Sequence, residues 1–160
     1  MKEKGNPLMH IIVELTADSP CLDEAIKMLW SQWGDENNYN FFEDLVMHSC
    51  RPENTLPKFY IYLKNDSVVG TCALLRYDFV SRQDLSPWLA CLYVVPGERV
   101  NGIGTALQHH VVKEAKRKGF DRVFLCTELD GYYERSNWRH FGNGYLYTGQ
   151  EVKYYEKQSV

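Results

Sequence analysis

The sequence lacks the patterns that mark several classes of protein. Its five cysteines are widely spread and form no Cys-x-x-Cys pair, so neither a zinc site nor a disulfide framework is indicated. No apolar run approaches the length of a membrane-spanning helix, and the first residues, MKEKGNPLMH, lack the apolar core of a signal peptide. The net charge of −3 argues against a nucleic-acid partner. We therefore expect a cytoplasmic protein without a metal, a membrane or a nucleic acid as partner.

What the sequence does contain is typical of a soluble globular protein. The hydrophobic share is 44% and the charged share 24%, and one domain over residues 1–160 is the natural count for this length. Aromatic residues make up 14%, which favours strands and a ligand groove over a helical bundle. Cys72, Cys91 and Cys126 lie in apolar, strand-like runs and are predicted to be buried free thiols.

The stretch from Trp88 to Gly119 organises the chain. A run of strand-forming residues, Leu89 to Val95, stops at Pro96-Gly97, and a loop with two glycines, Arg99 to Gly104, leads into a helical pattern. Backbone amides at the start of a helix have no partner within the helix, and the helix dipole adds partial positive charge there. The glycines let a ligand approach the backbone closely. The stretch therefore predicts an anion site.

Two common anion-binding motifs do not match this loop. A nucleotide-triphosphate loop would end in Gly-Lys-Ser/Thr, whereas the chain has Gly104-Thr105-Ala106. A dinucleotide fingerprint needs a third glycine where Leu107 stands.

The remaining elements can be placed along the chain by their periodicity. The order is β-α-α-β-β-β-α-β-α-β, and a helix between the organising strand and the next one predicts that these two strands are parallel. The expected elements are a strand at His10 to Leu15, a helix from Ser19-Pro20 to Gly34, a second helix ending near Cys50, a hairpin of Lys58 to Lys64 and Val68 to Tyr77 with a bulge at Gly70, a strand at Arg122 to Thr127, a short helix at Tyr132 to Arg135, a turn at Gly142-Asn143-Gly144, and final strands within Tyr145 to Tyr155.

Several motifs in this order resemble the GNAT superfamily of N-acetyltransferases. They are the strand end Leu92 to Pro96, the Arg-x-x-Gly-x-Gly loop of Arg99 to Gly104, and the segment Tyr132 to Trp138, in which Asn137 replaces the usual glycine. The resemblance implies an α/β fold with a mixed sheet. Its central sheet would be mostly antiparallel with a splayed parallel pair, and helices would cover both faces.

The resemblance also implies a site for acetyl-coenzyme A. The pantetheine arm would pair with the backbone of Leu92, Tyr93 and Val94. Arg99 would orient the loop or meet a phosphate, and Tyr133 would donate a proton to the departing thiolate, with Tyr132 as the neighbouring alternative. The pyrophosphate would be held by the amides of Val100, Asn101, Gly102, Ile103, Gly104 and Thr105.

The same resemblance places the acceptor on the far side of the thioester. Acidic and aromatic residues there would suit a cationic amine. The expected residues are Trp30, Trp33, Asp35 and Glu36, with Glu43, Asp44 and Tyr145 or Tyr147 further along the chain. A general base is not evident on the organising strand, so a water chain or a carboxylate of Asp35, Glu36 or Asp84 is left open. The adjacent His109 and His110 diverge by about 100° on a helix and predict no metal site.

These expectations define a function. We expect direct transfer of the acetyl group of acetyl-coenzyme A to a primary amine of a small cationic molecule. A protein or peptide N-acetyltransferase, and a non-catalytic module that senses acyl-coenzyme A, are the alternatives. A homodimer is compatible with either enzyme.

Overall fold

The computed structural model describes residues 9–160, so the expectation drawn from the segment MKEKGNPLMH lies almost wholly outside the described range. One sheet of seven strands, in the order β1-β2-β3-β4-β5-β7-β6, forms the centre. Short 3₁₀ turns occupy Pro96–Glu98 and Glu134–Ser136. The elements are β1 (His10–Glu14), α1 (Leu22–Trp33), α2 (Tyr39–Ser49), β2 (Lys58–Lys64), β3 (Ser67–Leu75), β4 (Trp88–Val94), α3 (Ile103–Arg117), β5 (Arg122–Thr127), β6 (Arg139–Tyr145) and β7 (Glu151–Gln158).

The sheet is mostly antiparallel, as the sequence predicts. The neighbours β4 and β5 are parallel, and the remaining neighbouring strands run antiparallel. The parallel pair is joined at a single register position, where Trp88 faces Phe124. Beyond that position the two strands diverge, and the expected splayed opening is present.

A bulge in β4 lies at the start of this opening. Thr71 faces Tyr93 and Ala73 faces Ala90, so Cys91 and Leu92 together stand opposite a single residue of β3. The backbone of Cys91 is left-handed, with φ of 52°, and its carbonyl oxygen accepts a hydrogen bond from Oγ1 of Thr71 at 2.9 Å. A bulge bends its strand and increases the local twist, which here separates β4 from β5.

Helices cover both faces of the sheet, again as expected. On one face α3 buries the side chains that recur every fourth position in its sequence, Ile103, Leu107, Val111 and Ala115. On the other face α1 and α2 pack their apolar sides, including Ile26, Leu29 and Val46, against β2 and β3. Helix α3 thus packs against β4 and β5, whereas α1 and α2 cover the opposite face of the sheet at β2 and β3.

Two local predictions are wrong in informative ways. Gly142, Asn143 and Gly144 lie inside β6 rather than in a turn, because the ring of Tyr154 on β7 packs over Gly144 where a β-carbon would stand. Helix α1 begins at Leu22 and not at Ser19, because the Ser19 hydroxyl accepts a hydrogen bond from the amide of Thr16 at 2.9 Å within a preceding turn.

Other details agree with the sequence. Asn137 is left-handed, with φ of 63°, at the end of the short turn that replaces the expected helix. The bulge expected at Gly70 occurs beside it, at Val69. Among the residues described, no helix is both long and apolar enough to cross a membrane.

Candidate active site

A cavity of ≈ 510 Å³ opens at the carboxyl end of β4. Its walls come from the strand end, from the loop that starts α3 and from the segment that follows β5. All the residues that the sequence predicts to contact the cofactor line this cavity except Asn101, and Tyr133 lines it as well. The structure therefore brings together residues more than 30 positions apart in the chain.

The loop presents a row of unpartnered backbone donors to this cavity. Within residues 9–160, no amide from Val100 to Thr105 has a hydrogen-bond acceptor, and no side chain caps the start of α3. Gly102 stands at the N-cap position with φ of 78°, and Val100 is also left-handed, with φ of 61°. Consecutive amides in such a turn form a concave donor site, to which the helix dipole adds positive potential.

Arg99 fastens the loop to the strand. Its Nε donates a hydrogen bond to the carbonyl oxygen of Val94 at 2.9 Å, and its guanidinium lies 5.5 Å from the ring centre of Tyr93. On the other side of the turn, Lys64 forms an ion pair with Glu98 at 2.8 Å. Of the two roles expected for Arg99, orienting the loop is the one for which the structure shows contacts.

Tyr132 and Tyr133 point to different parts of the cavity. The hydroxyl of Tyr132 lies over Gly104, only 2.7 Å from the position that a β-carbon there would take, and the guanidinium of Arg135 lies 5.6 Å from the Tyr132 ring centre. Tyr132 thus touches the start of α3, while Tyr133 faces the core beneath the opening. The two rings meet edge to face, with centres 4.9 Å apart.

Tyr133 is held rigidly by aromatic neighbours. Its ring packs against Trp138 and Tyr155, and the indole nitrogen of Trp138 donates to Oε1 of Gln108 at 3.0 Å. The Tyr133 hydroxyl makes no hydrogen bond to any residue between 9 and 160. Burial raises the pKa of Tyr133, with smaller contributions from Tyr132 and Cys126. The phenol is therefore a protonated donor at neutral pH, with its proton free for a ligand.

The residues predicted to bind the acceptor are only partly brought together. Trp33 is 45% exposed and meets Tyr93 of β4 edge to face at 6.3 Å, which places it beside the cavity that Tyr93 lines. The indole nitrogen of Trp30 donates a hydrogen bond to the carbonyl oxygen of Asp35 at 2.6 Å, so this donor is used within the α1–α2 loop. The Asp35 carboxylate accepts a hydrogen bond from the backbone amide of Asn37 at 2.8 Å, within the α1–α2 loop. Glu36 is exposed.

An aromatic cluster of Phe41, Phe79 and Tyr147 joins three parts of the chain. Phe79, in the loop between β3 and β4, has its ring centre 6.4 Å from Phe41 of α2 and 6.2 Å from Tyr147 of the β6–β7 hairpin. All three side chains are exposed. Sequence reasoning pointed to α2 and the hairpin but passed over Phe79, because its loop showed no periodicity.

Sequence reasoning also passed over Asp78. Its carboxylate accepts hydrogen bonds from the backbone amide of Phe79 at 2.8 Å and from the thiol of Cys126 on β5 at 3.7 Å. Burial raises the pKa of Asp78, and these two donors lower it in part. The available signal was an acid between two aromatic residues, Tyr77 and Phe79, in a loop that otherwise reads as polar.

The remaining candidate acid, Asp84, and the cysteines of the strands differ in exposure. Asp84 is exposed and forms a bidentate ion pair with Arg82 at 2.8 Å. Cys72 is buried as predicted, whereas Cys91 and Cys126 are only half-buried because they lie where β4 and β5 separate. In the described part of the chain, no group of three or more His, Cys, Asp or Glu residues could hold a metal ion.

Comparison with known proteins agrees with this geometry. The model of the acetyltransferase (GNAT) family matches residues 20–142, which is well over half of the chain. The chain therefore belongs to the GNAT acetyltransferase family, and it is an acyltransferase. No curated protein sequence matches it.

Solved structures with the same fold share little sequence with the chain. An aminoglycoside 6'-N-acetyltransferase complexed with coenzyme A has a TM-score of 0.72 at 18% identity, with 94% of this chain and 97% of that one covered. The aminoglycoside 6'-N-acetyltransferase from Enterococcus faecium gives 0.71 at 18%, with the same coverage. A GNAT acetyltransferase from Staphylococcus aureus gives 0.65 at 19%, covering 95% of this chain and all of that one.

Proposed function

We propose that the protein transfers the acetyl group of acetyl-coenzyme A directly to a primary amine of a small cationic molecule. One observation carries this proposal: the unpartnered amides of the loop and the free hydroxyl of Tyr133 line the same cavity. One end of the cavity suits an anion, and the other supplies a proton. Two solved neighbours described as aminoglycoside 6'-N-acetyltransferases, one of them with coenzyme A, support the choice of cosubstrate and of an amine acceptor.

Each part of the cavity has a role in this reaction. The amides from Val100 to Thr105 hold the pyrophosphate of the cosubstrate, and Arg99 keeps the loop in shape. The backbone of Leu92, Tyr93 and Val94 pairs with the pantetheine amides, because β5 pairs with β4 only at Trp88. The thioester then lies in the opening between the two strands. The amine nitrogen attacks the carbonyl carbon, the carbon–sulfur bond breaks, and Tyr133 protonates the leaving sulfur.

Coenzyme A is expected to bind the wild-type protein and to raise its melting temperature. At a concentration one hundred times the Kd, the ligand stabilises the folded state by about 2.7 kcal/mol, which corresponds to a shift of roughly 5–10 °C for a chain of this size. Differential scanning fluorimetry and calorimetric titration measure the two quantities. The absence of any shift at millimolar coenzyme A would contradict the proposal.

Activity is expected on cationic amines rather than on alcohols or anionic amines. The net charge of −3 and the exposed acids Glu36, Glu43 and Asp44 on the acceptor side favour a positively charged substrate. Thiol release from acetyl-coenzyme A, measured across a panel of amines, peptides and alcohols, tests this expectation. Turnover of peptides alone would favour the protein or peptide acetyltransferase. Binding of acetyl-coenzyme A without turnover of any member would favour a sensing module.

A further inference from the structure

We propose that Asp78 is the catalytic base of this enzyme and accepts the proton that the acceptor amine must lose. This inference rests on the proposed function, since it concerns the same transfer. It assigns a residue that stands in an irregular loop, outside the strands and the glycine loop that carry the cosubstrate.

The position of Asp78 is fixed by a contact to β5, and its charge acts on a thiol of β4. Its Oδ2 accepts a hydrogen bond from the thiol of Cys126. This cysteine lies two residues beyond Phe124, the position at which β5 pairs with β4. The pKa of Cys91, three residues beyond the paired position of β4, is raised to about 12, first by burial and then by the charge of Asp78. The carboxylate therefore lies beside β5 just past the point where β4 and β5 separate, outside the lining of the cosubstrate cavity.

Asp78 and Tyr133 approach the opening from opposite faces of the sheet. Tyr133 packs in the core between α3 and the sheet, together with Val123 and Leu125 of β5. Cys126, which contacts Asp78, packs with Trp88 and Phe124 on the other face. Side chains alternate between faces along a strand, so this separation follows directly from the register. An amine can thus arrive on the Asp78 side while the sulfur is protonated on the Tyr133 side.

The environment of Asp78 suits a base. Burial raises the pKa of its carboxyl group, while the Phe79 amide and the Cys126 thiol limit the rise, so it is a stronger base than an exposed aspartate and still ionises. Two donors leave about half of the roughly four acceptor sites of a carboxylate free. The thiols of Cys91 and Cys126 do not compete, because burial and the charge of Asp78 raise the pKa of each to about 12 and keep them neutral.

The aromatic cluster gives this base an entrance. Phe79 follows Asp78 directly, and its ring joins Phe41 and Tyr147 at the surface. The loop is fixed to the hairpin by backbone hydrogen bonds from Tyr147 to Phe79, at 3.1 Å, and from Ser81 to Tyr145, at 2.8 Å. An ammonium group passing these rings gains cation–π attraction before it meets the carboxylate.

The proton balance of the reaction closes with these two residues. The substrate ammonium gives one proton to Asp78, which later releases it to solvent. The free amine then forms the carbon–nitrogen bond, and the carbon–sulfur bond breaks with its electron pair on sulfur. Tyr133 supplies a proton to that sulfur and is reprotonated by the second proton of the nitrogen. The products are the acetamide, coenzyme A thiol and one proton in solution.

Replacing Asp78 by Asn tests the proposal. In the Asp78→Asn variant we expect kcat/KM for the best amine of the panel to fall by about a hundredfold or more, the usual range for acid–base groups. The Kd for coenzyme A, measured by calorimetry, should stay within about twofold, because Asp78 does not line the cosubstrate cavity. The pH profile of the residual kcat/KM should lack the acidic limb that the wild-type profile shows, since that limb reports ionisation of the base.

Asp84 provides a matched control on the same loop. It is also a carboxylate, but it is exposed and paired with Arg82, so Asp84→Asn should keep wild-type kcat/KM. The acidic limb should further lie at higher pH in Cys126→Ala than in Cys126→Ser, because only serine retains a donor that lowers the pKa of Asp78. Both variants change only Cys126. The thiol of Cys91, the other titratable group near Asp78, is the same in the two proteins.

The possible outcomes separate this inference from the proposed function. A wild-type enzyme that acetylates amines, together with an equally active Asp78→Asn variant, overturns the role of Asp78 alone. A wild-type protein that binds no coenzyme A, or acetylates no amine, overturns the proposed function and this inference with it. An Asp78→Asn variant that loses coenzyme A affinity along with activity would show that the loop is only structural.

Discussion

The Tyr133→Phe variant is expected to lose a factor of ten or more in kcat while its KM for acetyl-coenzyme A changes by less than about twofold. Phenylalanine keeps the ring that packs against Tyr132, Trp138 and Tyr155, so binding and folding should be preserved. The hydroxyl makes no hydrogen bond to any described residue, so its removal leaves no protein group without a partner. Only transition-state stabilisation is lost.

Two considerations set the size and the pH dependence of this effect. A thiol has a pKa of about 8.5, so the thiolate is a fairly good leaving group, and the loss could stay near the lower end of the range for general acids. Because burial raises the pKa of Tyr133, the phenol remains protonated through the alkaline range in which most enzymes are assayed. The wild-type pH profile should therefore show no loss of activity from Tyr133 near pH 10.

Tyr132→Phe is the internal control for this prediction. Its hydroxyl lies over Gly104 rather than beneath the opening, so kcat should be nearly unchanged. Steady-state kinetics of the two variants decide between the residues. The reverse pattern, with Tyr132→Phe impaired and Tyr133→Phe normal, would transfer the role of acid to Tyr132. Normal activity in both variants would mean that water protonates the sulfur.

Much of the fold could be predicted because its elements carry strong local signals. The strands Lys58–Lys64 and Arg122–Thr127 have the bounds that their apolar runs predict. In α3, apolar residues at every fourth position identify the buried face. The parallel pairing of β4 and β5 followed from the helix that connects them. The glycine loop was recognisable since its strand, its turn and its helix are consecutive in the chain.

The proposed acceptor side could not be predicted in the same way, because its contacts join distant segments. Phe79 meets Phe41 and Tyr147, which lie 38 and 68 positions away in the sequence. Asp78 becomes half-buried only when the loop packs against β5 and the hairpin. The Gly142–Gly144 prediction failed for the same reason, since the ring that occupies the space above Gly144 belongs to Tyr154 on the next strand. Turn propensity is local, whereas this packing is tertiary.

The second large effect is expected at Gly104. In the Gly104→Val variant, coenzyme A should bind at least tenfold more weakly, a loss of about 1.4 kcal/mol. The valine methyl groups would stand among the free amides of Ile103, Gly104 and Thr105, where the pyrophosphate is proposed to lie. A β-carbon at this position also comes within 2.7 Å of the Tyr132 hydroxyl, which must move aside. Calorimetric titration with coenzyme A measures the change.

Gly97→Val is the matched control for this prediction, because it makes the same change in the preceding turn, where a β-carbon meets nothing within 4 Å. Its affinity for coenzyme A should equal that of the wild type within about twofold.

The double variant Gly104→Val with Tyr132→Phe separates the two causes of the loss. If the methyl groups block the pyrophosphate directly, removing the Tyr132 hydroxyl restores no affinity. If crowding against Tyr132 distorts the loop, the double variant binds more tightly than Gly104→Val alone. Wild-type affinity in a folded Gly104→Val protein would instead mean that the loop is only a turn between a strand and a helix, and that the cosubstrate binds elsewhere.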